Sequence, residues 1–165
     1  MATSKDEVVD WLHDAHSMER GLEVALKKQA ENDEMHPAVR ERVRIHLDET
    51  RRHAERIEEC LERLGTSSST LKTATAQAMQ MGQGLMTKFA RDERVKDYLS
   101  DYGAEYFEVA CYKSLIAGAR VAGTLEIIPL LEENCREDQE MAKWLDMNIE
   151  AITRDYLTTT TAAAA

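Results

Sequence analysis

The chain has 165 residues, 43% apolar and 32% charged, which suits one folded domain with a real core rather than a disordered chain. Its 21 basic and 31 acidic side chains leave a net charge of -10. That excludes duplex DNA, RNA or an anionic membrane as the main partner, since each requires a basic face, and it suits cations wherever the acids converge.

Seven glycines and two prolines are few for this length. Strong helix formers dominate, and no alternating run of Val, Ile and Thr reads as a strand, so the fold expected is all-α. No apolar run approaches the ~18–20 residues that span a bilayer. The opening Met1-Ala2-Thr3-Ser4-Lys5-Asp6-Glu7 lacks the apolar stretch of a secretory signal. Cys60, Cys111 and Cys135 form no Cys-x-x-Cys pair, so they are expected as reduced thiols of a cytoplasmic protein.

Ser4 and Glu7 suggest a capping box, followed by an apolar stripe at Val8, Leu12, Ala15, Leu22 and Leu26. The first helix is predicted over about 5–30. After a polar break at Glu31-Asn32-Asp33-Glu34, Pro37 suits the first turn of a second helix, and Gly65 suits its end. A Ser/Thr linker leads to a short or broken helix over about 70–90, rich in methionine and weakened by Gly82 and Gly84. A third long helix is expected from Asp92 to about Ala122. Gly123-Thr124 makes a turn, and a fourth helix runs over about 125–157 with Pro129 near its start. Residues 158–165, four threonines and four alanines, read as a flexible tail. Short turns join helices one to two and three to four, while a longer segment joins two to three. This is the layout of a four-helix bundle with one crossover, occupying residues 1–157.

Several acids fall on the apolar stripes. Glu19 occupies a leucine-like position between Ala15 and Leu22. On helix two, His46, Glu49 and His53 interrupt the row from Val39 to Leu64. Helix three aligns Glu105, Glu108 and Tyr112, and helix four aligns Leu130, Glu133 or Asn134, Glu137 and Met141. In each hairpin the paired glutamates, Glu19 with Glu49 and Glu108 with Glu137, lie about 15 residues either side of the turn, so they share one level about 22 Å from it. Carboxylates crowded in a core require protons or cations to neutralise them. Two divalent metals would serve, and this oxygen-rich set with one or two imidazoles suits iron or manganese better than zinc. His53 shares a face with Glu49; His46 competes with it for the ligand role. His16, one turn before Glu19, is a candidate for the surroundings of the site, and His13 and His36 are expected at the surface.

At these residues the sequence resembles the YciE/YciF-type proteins of the ferritin-like superfamily. The resemblance is carried by His46-Leu47-Asp48-Glu49-Thr50, Glu55-Arg56-Ile57, Glu105-Tyr106-Phe107-Glu108-Val109-Ala110-Cys111-Tyr112, and Leu130-Leu131-Glu132-Glu133 leading to Glu137. It implies a cytoplasmic, bacterial, stress-associated protein, often a homodimer, with a rubrerythrin-like dinuclear metal site. By position it implies Glu19 as the helix-one ligand, Glu49 and Glu137 as bridges, His53 beside Glu49, and Glu105 and Glu108 as the helix-three pair. The sequence departs from the usual pattern in having Glu49-x-x-x-His53 in place of Glu-x-x-His. It also lacks a helix-four histidine, where Glu140 or Met141 stands instead.

Two functions follow. One is a di-iron or di-manganese protein, with zinc as a further occupant, that reacts with peroxide or oxygen or oxidises ferrous iron. In it Tyr112, one turn from Glu108, would donate a hydrogen bond or an electron. The other is a non-enzymatic helical stress or interaction protein with a vestigial site. The two separate on whether chelation lowers the melting temperature.

Overall fold

The computed structural model describes residues 2–33, 35–66 and 93–162. Four long helices account for nearly all of them: α1 (Ser4–Ala30), α2 (Pro37–Arg63), α3 (Glu93–Ala122) and α4 (Ile128–Ala162). One turn of 3-10 helix, Leu125–Ile127, leads into α4. The helix expected over 70–90 lies outside the described residues.

The start of α1 differs by one residue from the sequence expectation. Thr3, not Ser4, is the N-cap, and its reciprocal partner is Asp6 rather than Glu7. The Thr3 hydroxyl accepts from the Asp6 N–H at 3.2 Å, while Asp6 accepts from the Thr3 N–H at 2.7 Å. The two cap patterns overlap in sequence; the earlier one wins because it leaves Ser4 free to be helical. These bonds from Thr3 hold the Asp6 carboxyl below its ordinary range.

Pro37 opens α2, where a missing N–H does no harm, and the His36 ring nitrogen caps the Ala38 N–H at 3.2 Å. α2 ends in a Schellman turn: Gly65, at φ 80°, donates to the Glu62 carbonyl, and Thr66 donates to the Leu61 carbonyl. Gly123, at φ 74°, ends α3 in the same way, with Thr124 donating to the Ala119 carbonyl. α4 continues past the boundary expected at 157 as far as Ala162. There Thr158 and Thr159 donate their hydroxyls to the carbonyls of Arg154 and Asp155.

α1 packs along α2 and α3, and α4 packs along α3 and α2, so the helices form a square. Contacts fix the directions. Gly118, near the end of α3, lies against Val8 and Trp11 at the start of α1, and the Gln29 amide at the end of α1 donates to Asp101 near the start of α3 at 2.8 Å. Near the end of α2, Arg63 donates to the carbonyl of Glu126, just before α4. α1 and α3 are therefore antiparallel, as are α2 and α4. The chain leaves α2 at one end of the bundle and enters α3 at the other, which is the crossover connection expected.

Two apolar cores fill the ends. One gathers Val8, Leu12, Ile57, Leu61, Leu115, Ile127 and Leu131 with their neighbours, and includes the buried thiols Cys60 and Cys135. The other gathers Leu26, Val39, Val43, Leu47, Tyr98, Met141 and Leu145. All three cysteines are free, and Cys111 is half-buried. Between the two cores every helix turns polar side chains inward.

Candidate metal centre

The stripe of each helix explains which polar groups enter this middle layer. On α1 the row Val8, Leu12, Ala15, Glu19, Leu26 is buried, and Glu19 has no exposed surface. On α2 the inward positions are Val43, His46, Thr50, His53 and Ile57, in steps of three and four. On α3 they are Glu105, Glu108 and Tyr112, and on α4 they are Leu131, Asn134, Asp138 and Met141.

Two groups of side chains meet there. The ligand atoms of Glu19, His53 and Asp138 all lie within 4.8 Å of one another, and so do those of His46, Glu105 and Asp138. Asp138 belongs to both groups. Glu108 is buried beside them, within reach of the charges of Glu105, Asp138 and Glu19. Eight atoms of this layer are buried with no hydrogen-bond partner: Glu19 Oε2, Thr50 Oγ1, His53 Nδ1, Glu105 Oε2, and both carboxylate oxygens of Glu108 and of Asp138. Buried polar groups in proteins are rarely left so.

Each imidazole is held between an inner and an outer carboxylate. His46 places Nε2 at 2.8 Å from Glu105 and Nδ1 at 2.9 Å from Glu49. His53 places Nε2 at 2.9 Å from Glu137, while Nδ1 faces Asp138 at 3.4 Å and Glu19 at 3.6 Å. The outer carboxylates are anchored by guanidinium groups: Glu49 accepts from Arg42 at 3.1 Å and Glu137 from Arg56 at 2.7 Å. Arg56 also donates to Asn134 at 2.9 Å, Asn134 donates to the Tyr112 hydroxyl at 3.0 Å, and that hydroxyl donates to Glu19. One arginine therefore braces the Glu19 side of the layer as well as Glu137.

The electrostatics follow from burial and company. Burial pushes the Glu108 carboxyl well above its usual range, and the neighbouring Glu105, Asp138 and Glu19 push it further. Asp138 is raised to about 8 by burial and by Glu19 and Glu105, against the pull of the two imidazoles. Burial alone would lower His46 and His53, but the adjoining carboxylates prevail and raise them to about 10 and about 9. Burial opposes the ionisation of Glu137 too, yet His53 and Arg56 bring it down to about 2. Tyr112 is held well above its ordinary value by burial and the nearby carboxylates, so it remains a donor. Without a cation, the layer balances its charge by keeping protons.

Of the residues singled out in the sequence, Glu19, His53, Glu105 and Glu108 come together here, with Tyr112 against Glu19 and its ring 6.1 Å from that of His53. Glu49 and Glu137 stand one position outside the inward rows and face arginines, not the inner carboxylates. Glu140 is exposed and paired with Arg136 at 2.6 Å, so it takes no part. His46, the weaker of the two α2 candidates by sequence, is as deeply placed as His53. His16 is buried next to Glu58 at 2.8 Å, not within the layer, and His36 is exposed, as expected. Asp138 was missed. Its signal was present, since Ile127, Leu131, Asn134, Asp138, Met141 and Leu145 follow one another at the steps of an α-helical core face.

The family described as Domain of unknown function (DUF892) matches residues 3–158. The chain belongs to that family. Among solved structures it is similar to a protein of Xanthomonas campestris pv. campestris, with a TM-score of 0.79 at 28% identity over 96% of this chain and 99% of that one. It is also similar to the Escherichia coli stress protein YciF, with a TM-score of 0.71 at 23% identity over 93% and 99%. YcfI of Rhodopseudomonas palustris matches with a TM-score of 0.71 at 22% identity over 88% and 94%. The fold is thus the YciF-like, ferritin-like four-helix bundle, as the sequence resemblance implied.

The donor set fits a pair of divalent cations. Glu19, Glu105, Glu108 and Asp138 bring four carboxylates, whose full ionisation two such ions would offset, and they hold six of the eight unpartnered atoms.

Proposed function

We propose that the polar layer is a dinuclear metal centre. Glu19 and His53 serve one cation, Glu105 and His46 serve the other, Asp138 reaches both, and Glu108 adds a further carboxylate. The observation that carries this reading is Asp138: fully buried, with neither oxygen hydrogen-bonded, and common to two buried triads. Iron or manganese in such a site supplies Lewis acidity and electron exchange.

The chain's own residues set the conditions. The apolar cores above and below exclude water from the layer. His46, His53, Asp138 and Glu108 must surrender protons to act as ligands, so metal uptake releases protons. Tyr112 keeps its proton and directs it at Glu19. The reaction we assign is electron transfer from ferrous iron, as reductant and substrate, to peroxide or oxygen, which is reduced to water. The likeness to the Escherichia coli stress protein YciF supports a stress role. We extend the reading to a cytoplasmic homodimer, for which the exposed Leu99, Tyr106 and Phe107 of α3 offer apolar surface. Among the described residues no helix is long and apolar enough to cross a membrane.

The test is to load metal-free protein with iron(II) under argon, add hydrogen peroxide or oxygen, and follow iron oxidation and peroxide loss. Faster turnover than in protein-free solution, lost in Asp138→Asn, supports the proposal. Equal rates for the chain, the variant and free iron(II) reject it.

A further inference from the structure

Glu49 and Glu137 have the right residue type and depth for bridging ligands, yet each faces an imidazole and an arginine. His46 directs Nδ1 outward to Glu49 at 2.9 Å, and Arg42 holds that glutamate at 3.1 Å. His53 directs Nε2 outward to Glu137 at 2.9 Å, and Arg56 holds that one at 2.7 Å. The arrangement is the same twice, with the rings reversed: His46 offers Nε2 to the inner carboxylates and His53 offers Nδ1. Along α2 the two arginines stand outside the two histidines, Arg42 one turn before His46 and Arg56 one turn after His53.

The anchoring is unusually enclosed for arginine. The side chains of Arg42 and Arg56 are only 14% and 19% exposed. A guanidinium that far from water demands a carboxylate in return. Glu49 and Glu137 are therefore committed on one side to a cation of the protein and on the other to a ring N–H. An imidazole has two nitrogens, and when the outer carboxylate takes the N–H, the other nitrogen is left with its lone pair turned inward.

We propose that Glu49 and Glu137 are positioning residues: Arg-anchored carboxylates that fix which ring nitrogen of His46 and of His53 faces the metal pair. This rests on the dinuclear reading and adds to it which residues do not ligate. Each outer glutamate then governs one cation, Glu49 the one served by His46 and Glu137 the one served by His53.

The test is manganese(II) titration of the full chain by calorimetry, with bound metal counted by elemental analysis. Glu137→Ala and Glu49→Ala should each weaken one of two sites by roughly 10–100-fold while two ions still bind at saturation. In a His53→Ala background, Glu137→Ala should bring no further loss, because the ring it orients is gone. Glu49→Ala should behave in the same way in His46→Ala. Arg56→Met leaves every carboxylate in place and should weaken only the His53 site, which keeps the test open if an alanine variant fails to fold. Losses that add in the double variants, or saturation at one ion in Glu137→Ala, make the glutamate a ligand and overturn the inference while leaving the dinuclear centre intact. Unchanged affinity in Arg56→Met overturns the anchoring. An unaltered chain that takes up no manganese overturns both readings.

Discussion

At the end of the bundle where α1 begins, Leu12, Ile57, Leu61, Ile127 and Leu131 interlock with no exposed polar atom among their side chains, and water is expelled for good. Half-way along, the same four helices bury Glu19, Glu105, Glu108 and Asp138 at similar depth, each with at least one oxygen that makes no hydrogen bond. Both regions are closed to solvent, but only the first is self-sufficient. A side chain such as Leu12 is stabilised by burial itself, whereas a carboxylate such as Asp138 is stabilised only by what neutralises it. The ends hold the bundle together, and the middle keeps buried acids whose oxygens are in part without hydrogen-bond partners.

That contrast can be broken most forcefully in the cores. Leu12→Ala or Ile57→Ala should lose about 2–5 kcal/mol in denaturant unfolding, by the same amount with and without metal. The middle layer should respond to metal instead. Manganese(II) or iron(II) at a thousand times its dissociation constant should add about 4 kcal/mol for a single site, and a chelator should remove it, as read from the melting temperature.

The pH dependence of the metal-free protein should carry the same signature. The folded chain keeps protons on His46 to about 10, on His53 to about 9 and on Asp138 to about 8. The unfolded chain releases them near 6.5 for the histidines and 3.8 for the aspartate. Across that span the folded state binds more protons, so stability falls as pH rises. The histidine contribution is complete below about 6.5 and is lost by about 10; Asp138 acts in the same sense, from 3.8 to about 8. Glu137, lowered to about 2, acts oppositely and only in acid: its contribution is present above 4.5 and fades as pH falls toward 2. Melting in chelator should therefore drop steadily from pH 6.5 to 10, and saturating metal should flatten the slope.

A smaller and opposite effect is expected at Glu108. Glu108→Leu replaces a buried, unpaired carboxyl by an apolar group of similar size, so the metal-free protein should gain about 1–3 kcal/mol while its metal response declines. The least effect belongs to Glu140→Ala, which should stay within about 0.5 kcal/mol and leave metal stoichiometry unchanged, because its ion pair with Arg136 is solvent-exposed.

The fold was largely legible because its determinants are local. Pro37 and the glycines at 65 and 123 marked helix boundaries, and a short link against a long one dictated which helices pair and where the chain crosses over. On α2 and α4 the glutamates singled out in the sequence, Glu49 and Glu137, lie one position from the inward row. Counting from the turns places Glu49 and Glu137 at the height of the polar layer, but height does not select a face, and a shift of one position rotates a helical side chain by about 100°. The apolar neighbours do select it: on α4 the buried Leu131, Met141 and Leu145 place Asp138 inside and Glu137 at its edge, and on α2 Val43 and Ile57 place Thr50 inside in preference to Glu49. The arginine partners of Glu49 and Glu137 were hidden for a different reason. Arg56 reaches from α2 to Glu137 and Asn134 on α4, a contact between helices that no spacing within one helix encodes.

Asp138 is the residue on which the account turns, so the most direct measurement is manganese bound per chain at saturation, in the unaltered protein and in Asp138→Asn. Two ions per chain falling to one or none in the variant is the result predicted. Equal uptake by both chains, or no uptake by either, would contradict a metal pair gathered on that carboxylate.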